Sequence, residues 1–143
     1  MGIEEIRSGF LGYYEKRLKL QLLRSELILI LENAQSGYVT EEEAMKETYS
    51  LITFDTSVME SVISDTYSIT ANESELLKLL SEIRQETRVA NNKIRVFFNV
   101  VHLPLTNKDS LAVQHNKFMQ EKCGRIKLLC EKAIAELEKV LSI

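Results

Sequence analysis

The sequence predicts an all-α protein, an antiparallel up-and-down four-helix bundle with a kinked or split second helix. Three observations predict it. Proline (1) and glycine (5) are scarce, and these two residues punctuate turns and β-rich folds. Apolar residues recur every three or four positions along three long stretches. The 143 residues contain no linker, repeat or low-complexity tract, and that length fits a single helical-bundle domain over 1–143.

The first helix is expected from Ile3 to about Asn33. Ile6, Phe10, Tyr13, Leu20, Leu27 and Leu31 form one stripe; Leu11, Tyr14, Leu18, Leu22 and Leu29 form a second beside it. Together they make a face wider than a coiled-coil seam, as a bundle helix requires. Gly37 follows, free to take the left-handed conformation that closes a helix.

A second helix opens at Thr40. Its spacing to Glu43 is that of a capping box, and Glu41 to Glu43 place negative charge on the positive helix end. Thr53, Asp55, Thr56 and Ser57 interrupt it, because such side chains bond to their own backbone in competition with the helix. Two short helices, about 41–52 and 56–66, or one kinked helix are expected.

Thr70 and Glu73 again have capping-box spacing, and the third helix runs from there to about Leu103. Leu76, Leu80, Ile83, Thr87, Ala90, Ile94, Phe97 and Val101 alternate in steps of four and three, the clearest heptad in the chain. Pro104 ends it, since proline disfavours helix at the residue before it. Asp109 is the expected N-cap of a last helix, about Ser110 to Leu141. That helix is apolar at Leu111, Phe118, Ile126, Leu129, Ala133, Leu137 and Val140, and more polar at its centre, with Lys122 and Gly124 near the seam. Helices one, three and four each approach 30 residues, roughly 45 Å. Matched lengths and short loops imply antiparallel neighbours.

Charge and composition narrow the function. The net charge is -3 and the pI about 5.5, which argues against binding nucleic acid by phosphate neutralisation. Cys123 and Cys130 lie about 10.5 Å apart along one helix, beyond the reach of a disulfide. Two reduced, partly buried thiols in a cytosolic protein are expected. The longest apolar run, Leu27 to Leu31, is far shorter than the roughly 20 residues of a membrane span. The start lacks the basic and apolar regions of a signal peptide, so a soluble cytoplasmic chain is expected, membrane-proximal if an anchor precedes it. No CxxC or HxxxH pattern supplies a zinc set. Neither His102 nor His115 follows a glutamate in the di-iron spacing. There is no glycine-rich phosphate loop and no Ser-His-Asp arrangement. No metal and no cofactor is expected.

Two groups of residues raise specific chemistry. Arg95 and His102 lie seven residues apart on one face of the third helix. They resemble the R-x(4–6)-H motif of HEPN-type ribonucleases, in which Arg and His act on the scissile phosphate and the 2′-hydroxyl. A histidine titrating near neutrality suits acid–base work, and arginine suits phosphate. The family's polar residue after Arg is replaced here by Val96, and the segment from Val96 to Val101 reads as core. The commoner alternative is a surface arginine and a histidine near the C-terminal carbonyls of its helix. Lys16, Arg17, Lys19 and Arg24 form a basic cluster on helix one, which beside a membrane would gain about 1 kcal/mol per cation. Arg84, Arg88 and Arg95, with Lys93 beside them and Glu82 and Glu86 interleaved, read as a solvated face laced with local ion pairs. The tyrosines Tyr13, Tyr14, Tyr38, Tyr49 and Tyr67 read as core-edge residues with wet hydroxyls.

Three stretches in order resemble the cytosolic helical domain of small prokaryotic membrane-anchored proteins of unknown function. They are Lys16-Arg17-Leu18 through Leu22-Leu23-Arg24-Ser25-Glu26-Leu27 with Glu32-Asn33, then Leu51 through Val62 with its threonine-rich turn, then Leu76 through Asn92. The likeness spans roughly residues 16–95, and this chain departs from it in showing no membrane segment. The resemblance implies a cytoplasmic sensing or scaffolding module and offers no catalytic residues. The expected function is therefore a non-enzymatic helical interaction module. It would meet a protein partner, or its own copy, through the heptad face of helix three if helix four covers that face incompletely. Contact with a membrane surface through the basic cluster is a further expectation, and a HEPN-like ribonuclease is the alternative.

Overall fold

Among the residues that the computed structural model describes (3–36, 53–65, 73–101, 103–104 and 106–142) the chain forms four helices and no strand. They are α1 (Ile3–Ser36), α2 (Ser57–Ser64), α3 (Ser74–Val101) and α4 (Lys108–Leu141). Side-chain contacts fix their directions. Glu26 and Lys19 of α1 reach Val58 and Asp65 at opposite ends of the α2 segment, so α1 and α2 run antiparallel. Phe54 meets Asn91 while Glu60 meets Arg84, which reverses α3 against α2. Lys122 meets Glu86 while His115 stacks on Phe97, which reverses α4 against α3. Arg24 reaches Glu138 and Arg17 reaches the Leu141 carbonyl, closing α4 antiparallel on α1. The result is the expected up-and-down four-helix bundle, with α4 lying along both α1 and α3, and α2 bridging α1 and α3.

One apolar core runs through the bundle. From α3 it takes Leu76, Leu80, Ile83, Ala90 and Ile94, with Thr87 and Phe97 buried on the same heptad. The Thr87 hydroxyl, fully buried, donates back to the Ile83 carbonyl at 2.8 Å. Helix four therefore covers the α3 heptad, and that face is not an exposed docking surface. From α4 the core takes Met119, Cys123, Ile126, Cys130, Ala133 and Leu137. The expected polar centre of α4 is instead filled by Met119 and the two thiols. Gly124 faces outward, with open space where a side chain would stand.

The largest correction concerns α1. Among the described side chains its buried apolar positions are Leu20, Leu23, Leu27, Ile30 and Ala34, in alternating steps of three and four. Tyr14, Leu18, Leu22 and Leu29, expected to join the core, lie on the opposite side of the helix and are exposed, and Tyr13 is exposed as well. The bodies of Tyr13 and Tyr14 are not tucked into a core edge, and Tyr38, Tyr49 and Tyr67 lie outside the described residues. Smaller differences sit at the helix ends. Helix α1 continues one turn past Asn33. Helix α4 starts at Lys108 with Asn107 as its N-cap, so Asp109 falls inside the first turn. The expected helix 41–52 and the caps Thr40 and Thr70 lie outside the described residues. The segment from Val96 to Val101 is mixed rather than core: Phe97 is buried, whereas Val96 and Asn99 are exposed.

Candidate functional site

Helix α2 has eight residues, too few to persist unaided, so its position is set by side chains from α1 and α3. The Glu26 carboxylate, only 7% exposed, accepts the N–H of Val58 at 2.9 Å and of Met59 at 2.7 Å. These are first-turn donors that the helix cannot satisfy itself, and a carboxylate there also meets the positive helix end. Thr56 stands at the N-cap but caps nothing with its side chain; a glutamate 32 residues away takes over. Burial raises the Glu26 pKa above its ordinary value, against the lowering effect of the two N–H donors. On the other side, Asn91 of α3 brackets Phe54. Its carbonyl accepts the Phe54 N–H at 2.7 Å and its amide donates to the Phe54 carbonyl at 2.9 Å. Asp55 accepts the N–H of Ser57 at 3.0 Å and the Ser57 hydroxyl, which hold its pKa below the usual value.

Glu26, the turn Thr53–Ser57 and Asn91 come from three separate stretches of the chain, and they form a single knot. Its chemistry is positional. The side chains of Glu26, Asp55, Ser57 and Asn91 are each engaged by another group of the knot.

Beside this knot runs the outer face of α1. Tyr14, Leu18, Leu22 and Leu29, with Ser25 between, form a row whose members are 63%, 49%, 52% and 58% exposed. A cleft of about 290 Å³ lies next to it, lined by Leu22, Leu29, Ile30, Val58, Asp55 and Glu26. Only three charged residues occur between Leu18 and Leu31, and each turns to another element. Lys19 pairs with Asp65 at 2.9 Å, Arg24 with Glu138 at 2.9 Å, and Glu26 caps α2. The outward face between Leu18 and Leu29 is left apolar and neutral.

The residues singled out from sequence are dispersed. Arg95 is exposed on α3, and His102 lies outside the described residues. The basic cluster is spent on bundle contacts: Lys16 pairs with Glu73 at 3.5 Å, Arg17 donates to the Leu141 carbonyl at 2.8 Å, and Lys19 and Arg24 pair as above. Arg84 and Arg88 do not bind local glutamates but share Glu60 of α2, at 3.6 and 2.9 Å. Glu86 is taken by Lys122 and Arg125 of α4, at 2.8 and 3.2 Å. Cys123 and Cys130 are free and buried, and burial pushes their thiols up to about 11 and about 12. Among the described residues no group of three or more His, Cys, Asp or Glu is placed to hold a metal ion, and no helix is long and apolar enough to cross a membrane.

Sequence reasoning missed three of the residues that matter here: Glu26, Asn91 and His115. The first two bind backbone far along the chain, which no local pattern announces. His115 of α4 is 6% exposed and stacks on Phe97, with ring centroids 4.0 Å apart and planes 5° from parallel. Burial, with the Lys93 charge nearby, lowers its pKa to about 4. No family model, curated protein or solved structure matches this chain.

Proposed function

We propose that this protein is a non-enzymatic helical interaction module, and that it works by pairing the outer face of α1 with the same face of a second copy. The observation that carries the reading is the apolar row from Tyr14 to Leu29, whose outward face carries no charge between Leu18 and Leu29. The sixteen residues from Tyr14 to Leu29 span about 22 Å of helix, long enough for a helix to lie along. Contiguous exposed apolar surface of this kind marks an interaction site. A face carrying unpaired charge would repel its own copy, whereas here the three charges between Leu18 and Leu29 are already bound within the chain. A two-fold axis near Leu22 sets Tyr14 against Leu29, Leu18 against Ser25 and Leu22 against itself, the self-complementary match that an isologous dimer requires. Two free buried thiols suit a reducing, cytoplasmic setting. The resemblance to cytosolic domains of membrane-anchored proteins suits the same role.

Sedimentation equilibrium tests the reading. The wild type should fit a monomer–dimer equilibrium, and Leu18→Glu or Leu22→Glu should give a folded monomer. A wild type that stays monomeric at high micromolar concentration would remove it. The ribonuclease alternative has its own test: cleavage of a generic RNA that His102→Ala abolishes would displace the interaction reading.

A further inference from the structure

At the far end of the bundle, α3 and α4 part to leave a groove of about 310 Å³. Its walls are Val96, Phe97, Val100, Leu111 and Phe118, and its polar groups are His115 and Lys93. His115 is 6% exposed, stacks on Phe97 and lines the groove. An imidazole in the wall of an otherwise apolar groove gives that groove a directional hydrogen-bonding group. In its neutral form it offers one N–H donor and one acceptor. The Lys93 ammonium stands 5.2 Å from the centroid of the Phe118 ring, at the same groove, and has no carboxylate partner among the described residues. Lys122 stands 5.8 Å from the same ring, but it is committed to Glu86. Two ammonium groups over one ring, with one carboxylate between them, leave a local excess of positive charge.

We infer that this groove is a binding site for a small carboxylate with an apolar body. The apolar chain or ring lies against Phe97, Phe118, Val96, Val100 and Leu111. The carboxylate accepts hydrogen bonds from Lys93 Nζ and the His115 N–H, the charge-assisted kind that is stronger than a neutral pair. At about 30 Å³ per water-sized group, 310 Å³ holds about ten heavy atoms, the size of a medium-chain fatty acid or a simple aromatic acid. The site is separate from the α1 row, and the inference does not depend on the association proposed above.

Octanoate is a suitable probe, with 1-octanol as its uncharged counterpart. Each is titrated into isotope-labelled protein below its aggregation limit, and the ring signals of His115, Phe97 and Phe118 are followed by NMR. The expected result is saturable octanoate binding that moves all three rings, with octanol binding at least about tenfold more weakly, the factor that one charge-assisted contact supplies. Lys93→Gln should weaken octanoate by about the same factor and leave octanol unchanged. Val96→Trp, at an exposed rim position, should block both by filling the groove. The helical circular dichroism of both variants serves as the check that they remain folded. Equal binding of octanoate and octanol, an unaltered affinity in Lys93→Gln, or shifts confined to the α1 row would each overturn the inference.

Discussion

Replacing Glu26 by alanine tests the knot that fixes α2. Its cost follows from what the substitution leaves behind. Met59 is fully buried, so its N–H loses the 2.7 Å bond and gains no water. An orphaned buried donor costs about 1–3 kcal/mol. Val58 is half-buried, so water can reach its N–H and this bond adds less. The methylene removed from the core boundary adds about 0.8 kcal/mol. Against these stands the burial of a charge, which raises the Glu26 pKa in the folded chain and is relieved in the variant. The net expectation is a loss of about 3 kcal/mol at neutral pH, or about 10 °C in Tm at the 2–4 °C per kcal/mol usual for chains near this length. Glu26→Gln, which keeps one acceptor and removes the charge, should cost about 1 kcal/mol. The sign of the pH effect follows from the raised pKa. The unfolded carboxyl gives up its proton first, so Glu26 favours the fold most below 4.5, and part of that advantage is lost as pH rises through the folded value. The gap between wild type and Glu26→Gln should widen toward acid. Urea denaturation followed at 222 nm measures the energies, and hydrogen exchange at the Met59 amide reports on the bond itself. An alanine variant within about 0.5 kcal/mol of wild type, with the Met59 amide still protected, would refute the reasoning.

Two other outcomes follow from the same structure. Gly124 sits inside α4 with nothing within 4 Å of a would-be side chain; Gly124→Ala should stabilise by about 0.5–1 kcal/mol in the same melts. His115 stays neutral in the folded chain down to about pH 4 but takes up a proton near 6.5 when unfolded. Its contribution is therefore complete above 6.5 and is lost as pH falls toward 4. At 1.36 kcal/mol per pH unit this amounts to about 3 kcal/mol, visible as a steeper acid decline in wild type than in His115→Phe.

The fold was legible where one face of a helix is apolar and the other is not. Helix α3 is the clear case, since Leu76 through Phe97 give a single unbroken heptad with charged residues between, and all seven side chains are buried. Helix α1 was ambiguous because it is apolar on two faces. Leu20, Leu23, Leu27 and Ile30 compete with Leu18, Leu22 and Leu29, and periodicity alone does not say which set turns inward. Tertiary contacts decide that, and here they leave the second set outside. The charged residues were misread for a related reason. Arg84, Arg88 and Glu86 have helical spacing to local partners, yet each finds a better one on a neighbouring helix. Glu26 and Asn91 act on backbone 32 and 37 residues away, and His115 acquires its unusual state from Phe97 and Lys93 across the α3–α4 groove. Nothing within a window of the sequence carries those relations.

The claim that α1 has one face for its own core and another for its own copy is tested most directly by a thiol placed on the proposed two-fold axis. The native thiols are buried with strongly raised pKa values, so in the folded protein they stay silent under mild oxidation at neutral pH. Leu22→Cys should then give a disulfide-linked dimer, while Val89→Cys, on the exposed face of α3, should remain monomeric. Equal crosslinking of both variants, or none from Leu22→Cys in a sample shown to be folded, would contradict the account.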